Sequence, residues 1–175
     1  MMTPVLVTER LILKPLKISD ACEIYNNWTS DADVAKFMRW NVHQSINDTI
    51  DWLKSEEENI YSDNIYNWGF LLKSTNDLIG SGGLIYNKDK SMFELGYNLM
   101  KMHWGLGFAT EASSAILEFG KYNLKQKEFF CCHAKENIAS EKVIKKLGFI
   151  YTKDCEYYSW DRLKRFDCKE YCLKV

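Results

Sequence analysis

The chain has 175 residues, of which 46% are hydrophobic and 14% aromatic, and its formal net charge is −1. This length suits one domain with a sizeable core, and no Pro-, Gly- or Ser-rich linker divides it, so we predict a single domain over residues 1–175. The near-neutral charge gives no sign of nucleic-acid binding, and no apolar run approaches the roughly 18 residues of a membrane span. Because no signal peptide is visible either, we expect a cytoplasmic protein without a membrane partner.

The first third of the chain is predicted to form one strand and three helices. Alternation of apolar residues predicts the strand over residues 8–15. A helix is expected over residues 19–28, with a serine N-cap, and a short second helix over residues 33–37. A capping box predicts a third helix over residues 45–60, in which Glu56–Glu58 form the solvated face.

The rest of the chain alternates between strand-like and helix-like segments. Strands are expected over residues 66–73, 78–86, 93–99, 129–134, 149–155 and 165–173. Helices are expected over residues 111–122 and 139–147, and the second ends at Gly148, a natural C′ residue. This order predicts an α+β fold with a mixed sheet and helices on both faces, too antiparallel to be doubly wound.

The six cysteines do not form a Cys-x-x-Cys motif. Cys168 and Cys172 lie in one predicted strand, where four residues span about 13 Å, too far for a disulfide or for one metal ion. Cys131 and Cys132 are adjacent in a strand and should point to opposite faces. We therefore expect free, buried thiols and no metal site.

The segment His103–Thr110 lies between a predicted strand and a predicted helix and contains two glycines two residues apart. Gly105 and Gly107 let the backbone come close to a ligand, and the free N–H groups of the first helical turn then suit a phosphate or pyrophosphate. No Gly-Lys-Ser/Thr follows, so this is not a P-loop, and Thr110 replaces the Gly or Ala of a Rossmann fingerprint.

A second informative segment, Asn137–Phe149, contains Asn-x-x-Ser and then Lys-Leu-Gly-Phe. With Trp-Gly-x-Gly-Phe-Ala-Thr-Glu-Ala from Trp104 and Thr-Glu-Arg-Leu-Ile-Leu from Thr8, it resembles the GNAT superfamily of acyl-CoA-dependent N-acetyltransferases. The resemblance is closest to the RimJ/RimL branch, the ribosomal-protein N-terminal acetyltransferases. It implies a GNAT-like mixed, mostly antiparallel sheet of six to seven strands with a splayed central strand pair.

The resemblance also implies a cofactor site for acetyl-CoA, which acts as co-substrate, without a metal. The pyrophosphate would lie against the backbone amides of the loop, which are those of Gly105, Leu106, Gly107, Phe108, Ala109 and Thr110. Main-chain groups of Asn98, Leu99 and Met100 would bind the pantetheine arm in a gap opened by a strand bulge. Gly96 suits such a bulge or a close approach, or else packs under an aromatic ring.

The side chains of Asn137 and Ser140 would complete the cofactor site, although Asn137 also suits an ordinary helix N-cap. The resemblance to the RimL-like branch also implies that Ser140 is the acid toward the departing thiolate. The tyrosine that many other members carry four residues later is Ile144 here, so Ser140 or water is left as the proton donor. Glu94 resembles the glutamate base of histone-acetyltransferase members, and an amine with a pKa of about 10 needs such a proton acceptor or water. A surface or structural carboxylate is the alternative interpretation of Glu94.

Other titratable residues carry weaker indications. His43, His103 and His133 are candidate bases by pKa alone, and His103 suits the wall of the loop. Asp154 and Glu156 precede Tyr157-Tyr158, near where the last hairpin borders the acceptor side in this family, and they are candidates for recognising the amine there. In this family the N-terminal third forms one wall of the acceptor groove. Its aromatic residues suit that wall, with core packing as the alternative for each one, and they are Trp28, Phe37, Trp40 and Trp52.

Together these features predict an acetyl-CoA-dependent N-acetyltransferase that moves an acetyl group to a primary amine by direct attack in a ternary complex. The expected acceptor is a protein or peptide N-terminus. A small-molecule amine, such as a polyamine, amino acid or antibiotic, is the first alternative, but a polyamine site needs several convergent carboxylates and Glu56–Glu58 diverge around a helix. A non-catalytic acyl-CoA-binding sensor is the second alternative. A monomer and a homodimer are both compatible with the sequence.

Overall fold

The computed structural model describes residues 1–175, which form one eight-stranded sheet and five α-helices. The strands are β1 (Leu6–Val7), β2 (Leu11–Lys14), β3 (Ile65–Leu72), β4 (Leu78–Asn87), β5 (Met92–Leu99), β6 (Glu128–Ala134), β7 (Ile150–Tyr158) and β8 (Arg165–Lys174). The helices are α1 (Ala21–Ile24), α2 (Ala32–Ala35), α3 (Ile46–Asn59), α4 (Phe108–Tyr122) and α5 (Ile138–Lys146).

The strand order is β1-β2-β3-β4-β5-β6-β8-β7, and every neighbouring pair is antiparallel except β5 and β6. This confirms the mixed, mostly antiparallel sheet. The strand count exceeds the six or seven expected because a two-residue strand, β1, adds an edge beside β2. No helix is long and apolar enough to cross a membrane.

The central parallel pair is splayed. Strands β5 and β6 pair only at Phe93↔Phe129 and Glu94↔Phe130, although both strands continue beyond these residues. The register of β5 with β4 runs from Met92 to Leu99 without a shift. The expected bulge in β5 is therefore wrong, and the gap opens because β6 diverges from a regular β5.

Helices cover both faces of the sheet, as predicted. On one face α4 packs Ala112, Ile116 and Phe119 against the centre of the sheet in the larger hydrophobic cluster. On the other face Trp28 and Leu53, from the N-terminal helical region, form a second cluster. The residues of β3, β4 and β5 alternate between these faces, so the second face of β5 presents Glu94, Gly96 and Asn98 to the helical N-terminal third.

The N-terminal helices differ from the sequence prediction in detail. The helix expected over residues 19–28 is divided into a 3₁₀ turn (Ile18–Asp20), α1 and a π-helical segment (Tyr25–Thr29), and its N-cap is Lys17 rather than Ser19. The capping box of α3 is confirmed, because Ser45 is its N-cap and Asp48 accepts from the Ser45 amide at 3.0 Å. Gly148 adopts a φ of 86°, as a C′ glycine should.

The expectation that all six cysteines are free and buried is wrong in two respects. Cys155 and Cys168 are cross-strand partners in the β7–β8 hairpin, with Cα atoms 4.9 Å apart, and they form a disulfide. Cys22 is exposed rather than buried. Cys131 and Cys132 do lie on opposite faces, because Cys131 enters the larger hydrophobic cluster and Cys132 packs beside the disulfide.

Candidate active site

The glycine loop leads directly into α4. Gly105 and Gly107 have φ angles of 76° and 85°, the left-handed region that favours glycine. Gly107 is the N-cap of α4 and has no side chain that could cap the helix. Its carbonyl accepts the first intrahelical hydrogen bond, from the Glu111 N–H. The N–H groups of Phe108, Ala109 and Thr110 therefore point out of the helix end, where an anion would meet them.

A network from the start of the chain braces this loop. The Glu111 carboxylate accepts from the Thr8 hydroxyl at 2.6 Å, the Arg10 amide at 2.7 Å and the Arg10 Nε at 2.7 Å. The Arg10 Nη1 also donates to the Leu106 carbonyl at 3.0 Å, and its guanidinium lies over the Phe108 ring at 4.2 Å. The Thr-Glu-Arg motif near the start of the chain thus fixes the loop from which the helical amides project.

Strand β5 offers part of its backbone to the gap beside β6. The Met100 amide donates to the Ile79 carbonyl at 2.7 Å, and the Leu99 carbonyl accepts from the Trp104 indole at 2.8 Å. Along an antiparallel strand, residues that hydrogen-bond to the neighbouring strand alternate with residues that do not. Because Met100 bonds to β4, Asn98 does so too, and the Leu99 N–H points away from β4 into the gap. Of the three predicted main-chain positions, Leu99 is the one with an N–H free for a ligand.

Asn137 and Ser140 lie at the start of α5, on the other side of the gap. Asn137 is the N-cap, and its Oδ1 accepts from the Ser140 amide at 3.1 Å. This bond uses only the oxygen of the side chain, so the Asn137 Nδ2 is still available to a ligand. Both residues line the central cavity, so the capping role and a ligand-binding role are compatible.

Tyr97 is a site residue that the sequence analysis missed. Its hydroxyl crosses the gap to within 3.0 Å of the Ser140 Oγ and 3.3 Å of the Ser140 carbonyl. Burial raises the Tyr97 pKa well above its usual range, so the hydroxyl stays protonated and can donate. Ile144, the position of the expected tyrosine, is buried. The strand therefore supplies a phenol where the helix lacks one.

Glu94 lies where β5 and β6 still pair, at the base of the gap. Burial raises the Glu94 pKa, and the Arg39 guanidinium, 3.4 Å away, opposes that rise. A carboxylate with a raised pKa is a stronger base than an exposed one, which suits proton abstraction from an ammonium group. Glu94 also lines the cavity, so it is not a plain surface carboxylate.

One cavity of about 560 Å³ is lined by Glu94, Tyr97, Asn137 and Ser140 together with residues of the N-terminal third. Its aromatic wall contains the four predicted residues and one more from the β7–β8 loop, namely Trp28, Phe37, Trp40, Trp52 and Trp160. Residues 37–43 cover the cavity as a strap. The Tyr157 hydroxyl donates to the Phe37 carbonyl at 2.7 Å, and the Trp160 amide donates to the Arg39 carbonyl at 2.8 Å. Trp160 was not foreseen because its contact depends on the hairpin's fold.

Gly96 forms part of the cavity floor. A Cβ at this position would meet no atom within 4 Å, so Gly96 is neither packed under an aromatic ring nor pressed against a neighbouring strand. Gly83 beside it differs, because a Cβ there would lie 2.0 Å from the Tyr66 carbonyl oxygen. The glycine at 96 keeps space open next to Glu94 and Asn98.

Two carboxylate predictions are wrong. Glu56 is not on the solvated face of α3, since it is 9% exposed and lines the cavity. Asp154 and Glu156 do not face the acceptor side. They are exposed on the outer surface, where Asp154 pairs with Lys135 at 2.7 Å and Glu156 pairs with Arg165. Alternation along β7 directs the neighbouring Tyr157 inward instead.

The histidines have three different environments. His43 lines the cavity, shares a hydrogen bond of 2.8 Å with the Thr49 hydroxyl, and has its pKa lowered by burial. The His103 and Phe108 rings meet edge to face with their centroids 5.7 Å apart, as expected for a residue in the wall of the loop. His133 is buried, with contacts to the Ala134 carbonyl and the Tyr171 hydroxyl, away from the cavity. His43 is thus the histidine that an acceptor could reach.

The residues present suit coenzyme A. Unpartnered helical amides follow two left-handed glycines, the Leu99 N–H faces an open strand gap, and the Asn137 Nδ2 lies across it. The three sulfurs of Cys132, Cys155 and Cys168 lie within 4.8 Å of one another, but two of them are joined in the disulfide. An anion-binding helix end beside an extended strand edge matches a ligand with a pyrophosphate and an amide-containing arm.

The chain is similar to known acetyltransferases in sequence. The sequence profile of the Acetyltransferase (GNAT) domain matches residues 10–150. The uncharacterized N-acetyltransferase p20 of Bacillus licheniformis is 28% identical over 145 residues, covering 82% of this chain and 81% of that protein. The uncharacterized N-acetyltransferase YoaA of Bacillus subtilis strain 168 is 26% identical over 173 residues, covering 98% and 97% of the two chains.

Solved structures share the fold at low sequence identity. RimL, the ribosomal L7/L12 alpha-N-protein acetyltransferase in complex with coenzyme A, superposes with a TM-score of 0.80 at 15% identity and covers 100% of this chain and 98% of its own. The ribosomal-protein-S5-alanine acetyltransferase of Vibrio fischeri gives a TM-score of 0.79 at 16% identity over 98% and 96% of the two chains. With a family profile that matches residues 10–150, this protein belongs to the GNAT acetyltransferase family and is an acetyltransferase.

Proposed function

We propose that the protein transfers the acetyl group of acetyl-CoA to a primary amine by direct attack in a ternary complex. The observation that carries the proposal is the cavity that runs from the strand gap, where Asn98, Asn137 and Ser140 line it, to the aromatic wall beside the strap. A thioester held in the gap and an amine held in the cavity would meet beside Glu94. Direct transfer needs only this proximity and orientation.

In the proposed reaction Glu94 takes a proton from the ammonium form of the acceptor, directly or through water. The amine nitrogen then forms a bond to the thioester carbonyl carbon, and the Leu99 N–H stabilises the charge that develops on the carbonyl oxygen. The carbon–sulfur bond breaks as the Tyr97–Ser140 hydroxyl pair donates a proton to the leaving thiolate. The products are an acetamide and coenzyme A. The nitrogen loses its second proton to solvent as the acetamide forms, Glu94 gives up its proton to solvent, and solvent reprotonates the hydroxyl pair.

The acceptor that we propose first is a protein or peptide N-terminus. RimL and the Vibrio fischeri enzyme, which share this fold, are named for ribosomal-protein substrates, and these names support the proposal without deciding it. A compact small-molecule amine is the second candidate. It is favoured by the strap, which hydrogen bonds of Tyr157 and Trp160 hold across the aromatic cavity. The cytoplasmic location and the monomeric or homodimeric state stay predictions.

A thiol-release assay tests the proposal. Purified protein is mixed with acetyl-CoA and, in separate reactions, N-terminal peptides, amino acids and alkylamines, and free coenzyme A is followed with a thiol reagent that does not itself compete for the site. The proposal predicts amine-dependent release and a product heavier by one acetyl group. Saturable binding of coenzyme A without release on any amine would reject it and favour the sensor alternative.

A further inference from the structure

Glu56 is a buried carboxylate that the proposed reaction does not use. It lies in α3 and accepts hydrogen bonds from the Trp52 indole at 3.1 Å and from the Asn67 amide at 3.0 Å. Both donors are neutral, and Glu56 makes no ion pair with any lysine, arginine or histidine of the chain. The other cavity carboxylate, that of Glu94, has Arg39 as its cation.

A carboxylate in this position has a physical cost. Thr49, Leu53 and Glu56 are the buried residues of α3, at the spacing of an inward-facing helical stripe where an apolar side chain would be expected. Burial raises the Glu56 pKa, because the charged form is poorly solvated and lacks an opposite charge. A cation brought by a ligand would remove this cost, since it would complete the ion pair that the chain itself leaves incomplete.

The neighbourhood of Glu56 also suits a polar, cationic ligand. Trp52, whose indole donates to Glu56 at 3.1 Å, also lines the cavity, and aromatic rings stabilise alkylammonium groups near their faces. An ammonium group paired with Glu56 would therefore lie beside this ring.

The sheet register gives the distance from the reacting centre. Asn67, which holds Glu56, is paired with Gly83 in β4, and Gly83 is paired with Gly96 in β5. Two strand spacings separate Asn67 from Gly96 by about 10 Å. A ligand whose reactive amine lies beside Glu94 would therefore reach Glu56 only with a second group at the far end of a short chain.

We propose that Glu56, with Trp52 and Asn67, forms a subsite for a second cationic group of the acceptor. This inference rests on the proposed function and specifies its substrate class: a primary amine that carries another ammonium or guanidinium group about 10 Å away. A free diamine and a peptide with a basic side chain next to its N-terminus both have this chemistry.

The test compares matched acceptors in wild-type protein and in Glu56→Gln. 1,7-Diaminoheptane, whose nitrogens can span this distance, is compared with heptylamine, and an Ala-Lys amide with an Ala-norleucine amide, so that each pair differs in one cation. We expect the wild type to prefer the dication in at least one pair by roughly tenfold or more in kcat/KM, and Glu56→Gln to lose most of that preference. The pair with the Glu56-dependent preference identifies the source of the acceptor.

Control variants separate recognition from folding. Glu58→Gln removes an exposed carboxylate two residues away and should leave both pairs unchanged. Glu56→Asp keeps the charge and should retain part of the preference, and thermal unfolding verifies that each variant is folded. An equal rate on both members of each pair, or a preference that Glu56→Gln retains, would overturn the subsite.

Calorimetry measures binding of the dication without acetyl transfer, so it tests the subsite independently of the proposed reaction. 1,7-Diaminoheptane and the Ala-Lys amide are each titrated into the protein saturated with coenzyme A, which cannot transfer an acetyl group. Binding that Glu56→Gln weakens by roughly tenfold would support the subsite even when no amine is turned over. Equal binding by both proteins, or no binding of either dication, would reject it whether or not acetyl transfer is observed.

Discussion

The two halves of the proposed active site, one for the cofactor and one for the acceptor, are built by different means. The cofactor half consists mainly of backbone: left-handed glycines, the amide groups that begin α4, and the edge of β5. The acceptor half consists of side chains from distant segments, among them Trp52, Glu56, Arg39 and Trp160. Backbone geometry can bind the same pyrophosphate in many proteins, whereas side chains can be exchanged to suit a different amine. The cofactor half therefore indicates the reaction, and the acceptor half must indicate the substrate.

The largest effect is expected from a charge placed in the cofactor half. Gly107→Glu adds a strained side chain and a carboxylate at the mouth of the helical amides, and should weaken coenzyme A binding roughly 100-fold or more by calorimetry. Gly148→Glu is the matched control, because Gly148 has the same left-handed conformation at the far end of α5. That variant should lose stability but keep its affinity. Unchanged affinity in folded Gly107→Glu would remove the loop from the cofactor half.

The next effect concerns the base between the two halves. Glu94→Gln should lower kcat/KM for a good acceptor roughly 30-fold near neutral pH. Burial raises the Glu94 pKa, so the wild-type rate should fall as pH drops through that raised value, and the variant should lack this limb. At high pH the free amine forms without help, so the difference should shrink. Glu156→Gln, on the exposed face of β7, is the control. If Glu94→Gln keeps the wild-type dependence of kcat/KM on pH, Glu94 is not the base.

A smaller effect should be confined to the acceptor half. Gly96→Leu adds a side chain at a cavity-lining position where a Cβ would meet no atom within 4 Å, so folding should be little affected. We expect the acceptor KM to rise roughly tenfold while coenzyme A affinity stays unchanged, and Gly96→Ala to fall between the two. Thermal unfolding, calorimetry and initial rates measure the three quantities. If Gly96→Leu weakens acceptor and cofactor binding equally, position 96 does not belong to the acceptor half alone.

The smallest effect is expected for the proton donor in the strand gap. Tyr97→Phe removes the hydroxyl that contacts Ser140 and should lower kcat about fivefold, with little change in cofactor affinity. A thioester analogue with a more acidic thiol should recover most of the loss, because its thiolate leaves without protonation. Ser140→Ala should show the same recovery, and the double variant should be less than additive. Tyr86→Phe, on the neighbouring strand, is the control. A fall in the kcat of Tyr97→Phe that is equally large with both thioesters would contradict the assignment.

The cofactor half could be predicted because its signals are local in sequence. The loop Gly105–Thr110 and the Asn137 cap each occupy a few consecutive residues, and the expected helices begin and end near them. Tyr97 was missed because its partner Ser140 lies 43 residues away, across a gap that only the divergence of β6 creates. Within α5 the position of the expected acid is Ile144, which has no proton to donate.

The acceptor half was less predictable because it depends on helix phase and strand register. Glu56 looked like part of a solvated acidic run, but its spacing from Thr49 and Leu53 places it on the inner stripe of α3. The disulfide was missed for a similar reason. Cys155 and Cys168 are 13 residues apart, and only the register of the β7–β8 hairpin makes them neighbours.

Amide hydrogen exchange tests the division of the proposed active site most directly. Exchange is followed in the free protein and in the protein saturated with coenzyme A, with the backbone amides of residues 105–110 and of α3 resolved. The account predicts that coenzyme A protects the amides at the start of α4 and the Leu99 amide while leaving α3 unchanged. Saturating binding with unprotected loop amides, or with protection centred on α3, would contradict it.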